Sequence, residues 1–140
     1  MLYKKIQFNK FNDGNGDLIP IELTENSMIP FDVKRCYFIS NPKNLERGNH
    51  AHIDLEQIII CCNGSFTLHL DNGLGNKEDL ILDSNDIGIY IKGIKWRILK
   101  NFSKDCVILV LANKPHCKSK YIRNYELFLE IAKENKIQPF

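Results

Sequence analysis

Two histidines one residue apart stand in Arg47-Gly48-Asn49-His50-Ala51-His52, ahead of Glu56-Gln57 and the apolar run from Ile58 to Cys62. Side chains alternate across a strand with a period of two, so His50 and His52 face the same side and can share one ligand. Imidazole titrates near neutral pH, and an apolar or cationic surrounding lowers its pKa and keeps it a base. The pair is therefore suited to proton transfer in a cleft or, with a carboxylate, to one face of a metal site. Arg47-Gly48 sets a guanidinium beside it on a flexible turn. The planar fork of arginine matches phosphate or carboxylate, so an anionic ligand is the natural partner.

The elements that must position these groups are short. Alternating or apolar runs recur along the chain, each closed by Gly, Asn, Asp or Pro, as in an antiparallel sandwich or barrel. The pattern predicts strands over Lys4–Phe8, Asp17–Glu22, Val33–Ile39, Gln57–Cys62, Ser65–Asp71, Lys77–Leu82, Ile87–Ile91, Trp96–Asn101 and Cys106–Ala112. Asn63-Gly64 and Asn72-Gly73 read as hairpin turns, and Asn12-Asp13-Gly14-Asn15-Gly16 as a turn rather than a linker. Only the end looks helical: from Asn124, residues Tyr125, Phe128, Leu129, Ile131 and Ala132 fall at helical spacing, with Lys133 and Lys136 in the last turns. At 140 residues, with no repeat or linker, a single domain spanning 1–140 is expected.

Lys and Arg number 19 against 17 Asp and Glu. That balance disfavours nucleic acid as the main partner. Five cysteines (Cys36, Cys61, Cys62, Cys106, Cys117), odd in number and without CxxC spacing, lie mostly in apolar strand context and read as buried thiols of a reducing compartment. The start lacks an apolar core of signal-peptide length and no long apolar run occurs, so a cytoplasmic, membrane-free protein is expected.

The stretch holding His50, His52, Glu56-Gln57 and Gly64 resembles the first motif of cupins, the double-stranded β-helix (jelly-roll) proteins. Metal-binding cupins take a third histidine from a later turn and strand; here that segment reads Ile91-Lys92-Gly93-Ile94-Lys95-Trp96, and an indole is no metal ligand. His69, on a far strand, and His116, in a loop beside Pro115, are poor substitutes, so no metal and no other cofactor is expected. Glu56 and Gln57 are adjacent, so only one faces inward, and Glu56 is the one expected to point away from the pair.

Four segments in order carry a closer resemblance: Ile29-Pro30-Phe31-Asp32-Val33-Lys34-Arg35-Cys36-Tyr37-Phe38-Ile39, then Arg47 to His52 with Gln57, then Leu70-Asp71-Asn72-Gly73, and last Tyr121-Ile122-Arg123-Asn124-Tyr125. In these the chain resembles the dTDP-sugar 3,4-ketoisomerases, small cupins of deoxy- and amino-sugar biosynthesis. The resemblance implies an all-β cupin with a C-terminal helix, a metal-free homodimer, and conversion of a dTDP-linked 4-keto-6-deoxyglucose to a 3-keto sugar for a surface glycan. It implies His50, His52 and Tyr37 as catalytic groups, and Arg47, Arg35, Gln57, Trp96, Arg97, Tyr121 and Arg123 as substrate-binding ones. Trp96 is expected either to stack on the sugar or base or to plug the barrel. Two departures stand out: Arg97 where the family often has histidine, which leaves the gluco or galacto configuration at C4 open, and Asn15 where a larger residue is usual. A non-catalytic sugar-nucleotide-binding cupin and a metal-dependent cupin enzyme remain the alternatives.

Overall fold

Alternation of apolar and polar side chains drives the chain into two five-stranded sheets that face one another, the arrangement of a cupin jelly roll. The structure, a computed structural model, describes residues 2–43, 45–116 and 120–135. In order these form β1 (Lys4–Gln7), β2 (Phe11–Asn12), β3 (Asp17–Leu18), β4 (Arg35–Ser40), β5 (Arg47–His52), β6 (Gln57–Asn63), β7 (Phe66–Asp71), β8 (Lys77–Leu82), β9 (Ile87–Ile91), β10 (Trp96–Lys100), β11 (Val107–Ala112), β12 (Tyr121–Ile122) and α1 (Tyr125–Glu134). One sheet runs β1-β9-β6-β11-β4 and the other β12-β5-β10-β7-β8, with β2 and β3 forming a separate small hairpin.

Three apolar clusters hold these layers. Between the sheets, Ile59, Leu68, Leu70, Ile91, Ile108 and Val110 are almost fully buried. On the outer face of the first sheet, Ile58, Ile60, Tyr90 and Leu111 pack under Phe8, Ile29 and the flanking Ile19, Ile21 and Phe31. On the outer face of the second, Ala51, Trp96 and Ile122 meet Phe128 and Ala132 of α1. Burying a Phe side chain contributes about 1.5–3 kcal/mol, so Phe128 alone goes far towards holding the helix in place.

The helix begins where sequence spacing places it. Asn124 is its N-cap, accepting from the Leu127 amide at 2.9 Å. A second anchor is the buried carboxylate of Asp71, which accepts from the Tyr125 hydroxyl at 2.5 Å and from the Gly73 amide at 2.7 Å. Gly73 itself has φ 73° and lies so close to α1 that a Cβ there would come within 2.6 Å of Ala132 Cβ. The turn and the helix thus fit only because position 73 lacks a side chain.

Two expectations need correction. Only Asp17 and Leu18 of the Asp17–Glu22 run pair as a strand; Ile19 and Ile21 alternate because they cover the outer face of the first sheet, not because they join it. Cys36 is exposed, since β4 is an edge strand with alternate residues turned outward. Cys61 and Cys106 are buried as expected, all four described cysteines are free, and Cys117 lies outside the described residues, as does Lys136. Burial, with the Cys106 thiol beside it, pushes Cys61 up to about 12, which keeps it a neutral core group. Among the described residues no helix is long and apolar enough to cross a membrane.

Candidate active site

Gly48 and Asn49 both adopt left-handed backbone, with φ 87° and 53°. Across the pairing of β5 with β10, His50 is opposite Arg97 and Gly48 opposite Ile98, so Asn49 is an extra residue, a β-bulge. The bulge resets the alternation of β5 just before the histidines. His50 and His52 then both turn inward, with His50 Nε2 3.0 Å from His52 Nε2 and the rings edge to face at 87°. Two neutral imidazoles in that contact must share one proton between facing nitrogens, one donating and the other accepting. His52 is 4 % exposed, whereas His50 lines the cavity, so His52 stands behind His50.

The cavity measures about 450 Å³. Arg35 and Tyr37 come from β4, Arg47 and His50 from β5, Gln57 from β6 and Arg97 from β10; Ile39, Ile59, Leu99 and Val110 supply an apolar floor. Tyr121, paired with His52 across β12 and β5, lays its ring against both imidazoles at centroid distances of 4.9 Å and 4.4 Å. Arg123 stacks on Tyr121 at 4.7 Å and Arg35 on Tyr37 at 5.1 Å. Among the described residues four arginines line the cavity and no carboxylate does, a lining that suits a polyanion such as a diphosphate.

Electrostatics follow from this lining. Burial first, and then the Arg97 guanidinium, lowers His50 to about 4, against a smaller opposing contribution from the Gly48 backbone. His52 is lowered further by burial, Arg97 and His50. Burial raises the Tyr37 hydroxyl despite Arg35 and Arg97 nearby. At neutral pH the site therefore presents neutral imidazoles and a protonated phenol under a cationic rim.

The chain matches the family described as FdtA (WxcM-like, C-terminal) over residues 1–133. It is 43% identical over 134 residues to a TDP-4-oxo-6-deoxy-alpha-D-glucose-3,4-oxoisomerase of Aneurinibacillus thermoaerophilus, covering 94% of both chains. The chain belongs to the FdtA family. Solved structures similar to it include QdtA, a sugar 3,4-ketoisomerase from Thermoanaerobacterium thermosaccharolyticum in complex with TDP (TM-score 0.90, 35% identity, 96% of this chain and 97% of that one). Another is the WlaRB TDP-quinovose 3,4-ketoisomerase from Campylobacter jejuni (TM-score 0.85, 40% identity, 91% and 97%). Like these relatives, the chain is an enzyme of the isomerase class.

Most of the residues that the sequence singles out meet in this FdtA-family cavity: Arg35, Tyr37, Arg47, His50, Gln57, Arg97, Tyr121 and Arg123 line it, and His52 supports it from behind. Trp96 does not. Because neighbours on a strand face opposite ways, Arg97 turned inward puts Trp96 on the outer face, where its ring lies 5.2 Å from Tyr125 and 5.5 Å from Phe128. Trp96 therefore anchors the helix and neither stacks on a ligand nor plugs the barrel. Glu56 points away from the pair, its carboxylate taken by the Tyr90 hydroxyl and by Asn113 Nδ2 at 3.1 Å, and Gln57 faces in. His116, set aside in the sequence, reaches the cavity from the loop after β11 with Nδ1 3.3 Å from the Tyr121 hydroxyl. No local pattern marks it; only the return of the chain to β12 brings it there. Among the described residues no group of three or more His, Cys, Asp or Glu is placed to hold a metal ion.

A pH dependence follows. The working form of His50 is neutral, so turnover should hold steady through pH 6.5 and decline only as pH approaches about 4. Its folded pKa lies below the unfolded value of 6.5, so the unfolded chain binds more protons between those two values, and stability should fall as pH drops from 6.5 towards 4. A pH-rate profile with its acidic limb centred near 6.5 would contradict the buried, neutral pair.

Proposed function

We propose that the chain is a TDP-sugar 3,4-ketoisomerase that converts TDP-4-keto-6-deoxyglucose to its 3-keto isomer by histidine acid/base proton transfer. The observation that carries this reading is the coupled His50–His52 pair, 3.0 Å apart, beneath a cavity lined by four arginines. The guanidiniums suit the diphosphate, and the family relatives named for TDP sugars supply the nucleotide and sugar.

Carbonyl migration asks for two proton movements. His50, which reaches the cavity, takes the proton from C3; the C–H electrons form the C3–C4 double bond and the C4 carbonyl oxygen gains the negative charge. That oxygen is protonated, the C3 hydroxyl gives up its proton, C3 becomes the carbonyl, and C4 takes a proton. His52, sharing a proton with His50 through the Nε2 contact, lets the pair hold and return protons without charging the buried site in two places. Tyr37 and the arginines stabilise the enediolate oxygens. The 3-keto product has the functional group that an aminotransferase requires, which fits deoxyamino-sugar synthesis for a surface glycan in the cytoplasm.

The test is incubation of metal-stripped protein with TDP-4-keto-6-deoxyglucose in deuterated water. Deuterium at carbon and a 3-keto product, undiminished by chelator, are expected. Unlabelled, unchanged sugar would leave a binding cupin, and activity restored only by one added metal would establish the metal-dependent alternative.

A homodimer belongs to the same proposal. β1 and β4 are edges of the first sheet, and Phe38 on β4 is 67 % exposed, a combination that another chain would cover. Sedimentation at micromolar concentration should give about twice the 16.3 kDa chain mass; a fully active monomer there would refute it.

A further inference from the structure

A chain of hydrogen bonds runs inside the cavity wall from Arg97 to Tyr37. Arg97 is 2 % exposed, and its Nη1 donates to Gln57 Oε1 at 2.5 Å while Nη2 donates to the Lys95 carbonyl at 3.2 Å. A guanidinium has donors and no acceptor, so only the carbonyl end of the Gln57 amide can face it. The NH2 end is thereby turned the other way, where Gln57 Nε2 lies 3.3 Å from the Tyr37 hydroxyl. An amide nitrogen also only donates. The Tyr37 oxygen must therefore be the acceptor in that contact, and its own proton is directed elsewhere, on a residue that lines the cavity.

We propose that Arg97 and Gln57 are positioning residues that fix the direction of the Tyr37 O–H bond, aiming it into the cavity as a hydrogen-bond donor to the keto oxygen on which charge develops. This rests on the ketoisomerase reading. It gives Arg97 and Gln57 a role that does not require touching the sugar. Arg97 supplies the one unambiguous direction in the chain, because it stays protonated, lowered by burial only to about 10. Without it the Gln57 amide is free to flip, and its oxygen would then draw the Tyr37 proton out of the cavity. The donated bond from Gln57 also favours the charged phenolate, partly offsetting the burial that raises Tyr37.

The sharpest test is Gln57→Glu. A carboxylate still pairs with Arg97 but accepts from Tyr37 instead of donating to it, so the phenol proton turns away from the cavity. Loss of one such donor costs about 10²-fold in kcat, with little change expected in KM. Tyr37→Phe should lose about as much, and the double variant should lose no more than either single one, because both remove the same hydrogen bond. The same cycle with Gln57→Met covers a failure of the glutamate variant to fold. Losses that multiply in the double variant, or wild-type turnover in Gln57→Glu, would overturn the proposal. A second measurement does not depend on turnover: titration of Tyr37 by ¹³C NMR of ring-labelled tyrosine, assigned with Tyr37→Phe, should show a higher pKa in Gln57→Glu than in wild type. An equal or lower pKa would refute the hydrogen-bond direction. If wild-type protein puts no deuterium into the sugar, the ketoisomerase reading fails by itself, and the titration still decides the arrangement of the chain.

Discussion

Replacing His50 or His52 with Asn is expected to lower kcat by about two to four orders of magnitude while the protein stays folded. His50 is the imidazole that reaches the cavity, and His52 is bonded to it at 3.0 Å. Removal of either therefore breaks the same proton-sharing unit, from opposite ends. Asparagine keeps a polar amide near the imidazole volume, so the buried partner retains a hydrogen-bonding neighbour and the cost to stability stays small. The two variants should differ in one respect. His50→Asn removes the group facing C3 and should abolish exchange of that proton, whereas His52→Asn should leave slow exchange with poor conversion. Steady-state turnover and deuterium incorporation, measured together, check both; normal turnover in both variants would remove the acid/base reading.

The second large effect concerns a residue that bears no functional group. Gly48→Ala should reduce kcat by about 10²-fold, because displacement of a catalytic group by about 1 Å costs that much. Gly48 sits at φ 87°, and a Cβ there would come 2.9 Å from the Arg97 carbonyl oxygen. Relief requires the bulge to open or β10 to move, and the first shifts His50 while the second shifts Arg97. Circular dichroism and thermal melting should show a folded, modestly destabilised protein. Wild-type kcat in this variant would mean that the bulge does not aim the histidines.

That bulge also marks where reading the sequence stops. Period-two alternation bounded by turn residues predicts strands such as Lys77–Leu82 and Ile87–Ile91, which the structure reproduces residue for residue. The shared face of His50 and His52 follows from the same rule. What alternation cannot reveal is an inserted residue such as Asn49, whose conformation depends on pairing with β10, 40 or more residues later in the chain. Trp96 is hard to place from sequence for a related reason: its chemistry invites both stacking on a ligand and plugging the barrel, but its side is set by Arg97 next door. Tyr121 and Arg123 lie on or beside a strand only two residues long, too short for any periodic signal, and their place in the cavity follows from the family resemblance alone. His116 lacked even that. Glu56 and Gln57, by contrast, follow plain alternation: adjacent residues face opposite ways, and Glu56 is the one turned from the pair.

Four guanidiniums around one cavity, with no carboxylate beside them among the described residues, have a consequence beyond ligand choice. Like charges gathered in a partly desolvated space raise the free energy of the empty enzyme, so the resting state carries a built-in self-repulsion that an arriving anion relieves. Part of the affinity for a diphosphate is in that sense stored in the fold beforehand. The cavity is where stability and activity pull in opposite directions: neutral substitutions at Arg35, Arg47 or Arg123 ease the folded chain while weakening what it was shaped to hold. A search for hardier variants would gather such changes first, and would be selecting against the enzyme's own work.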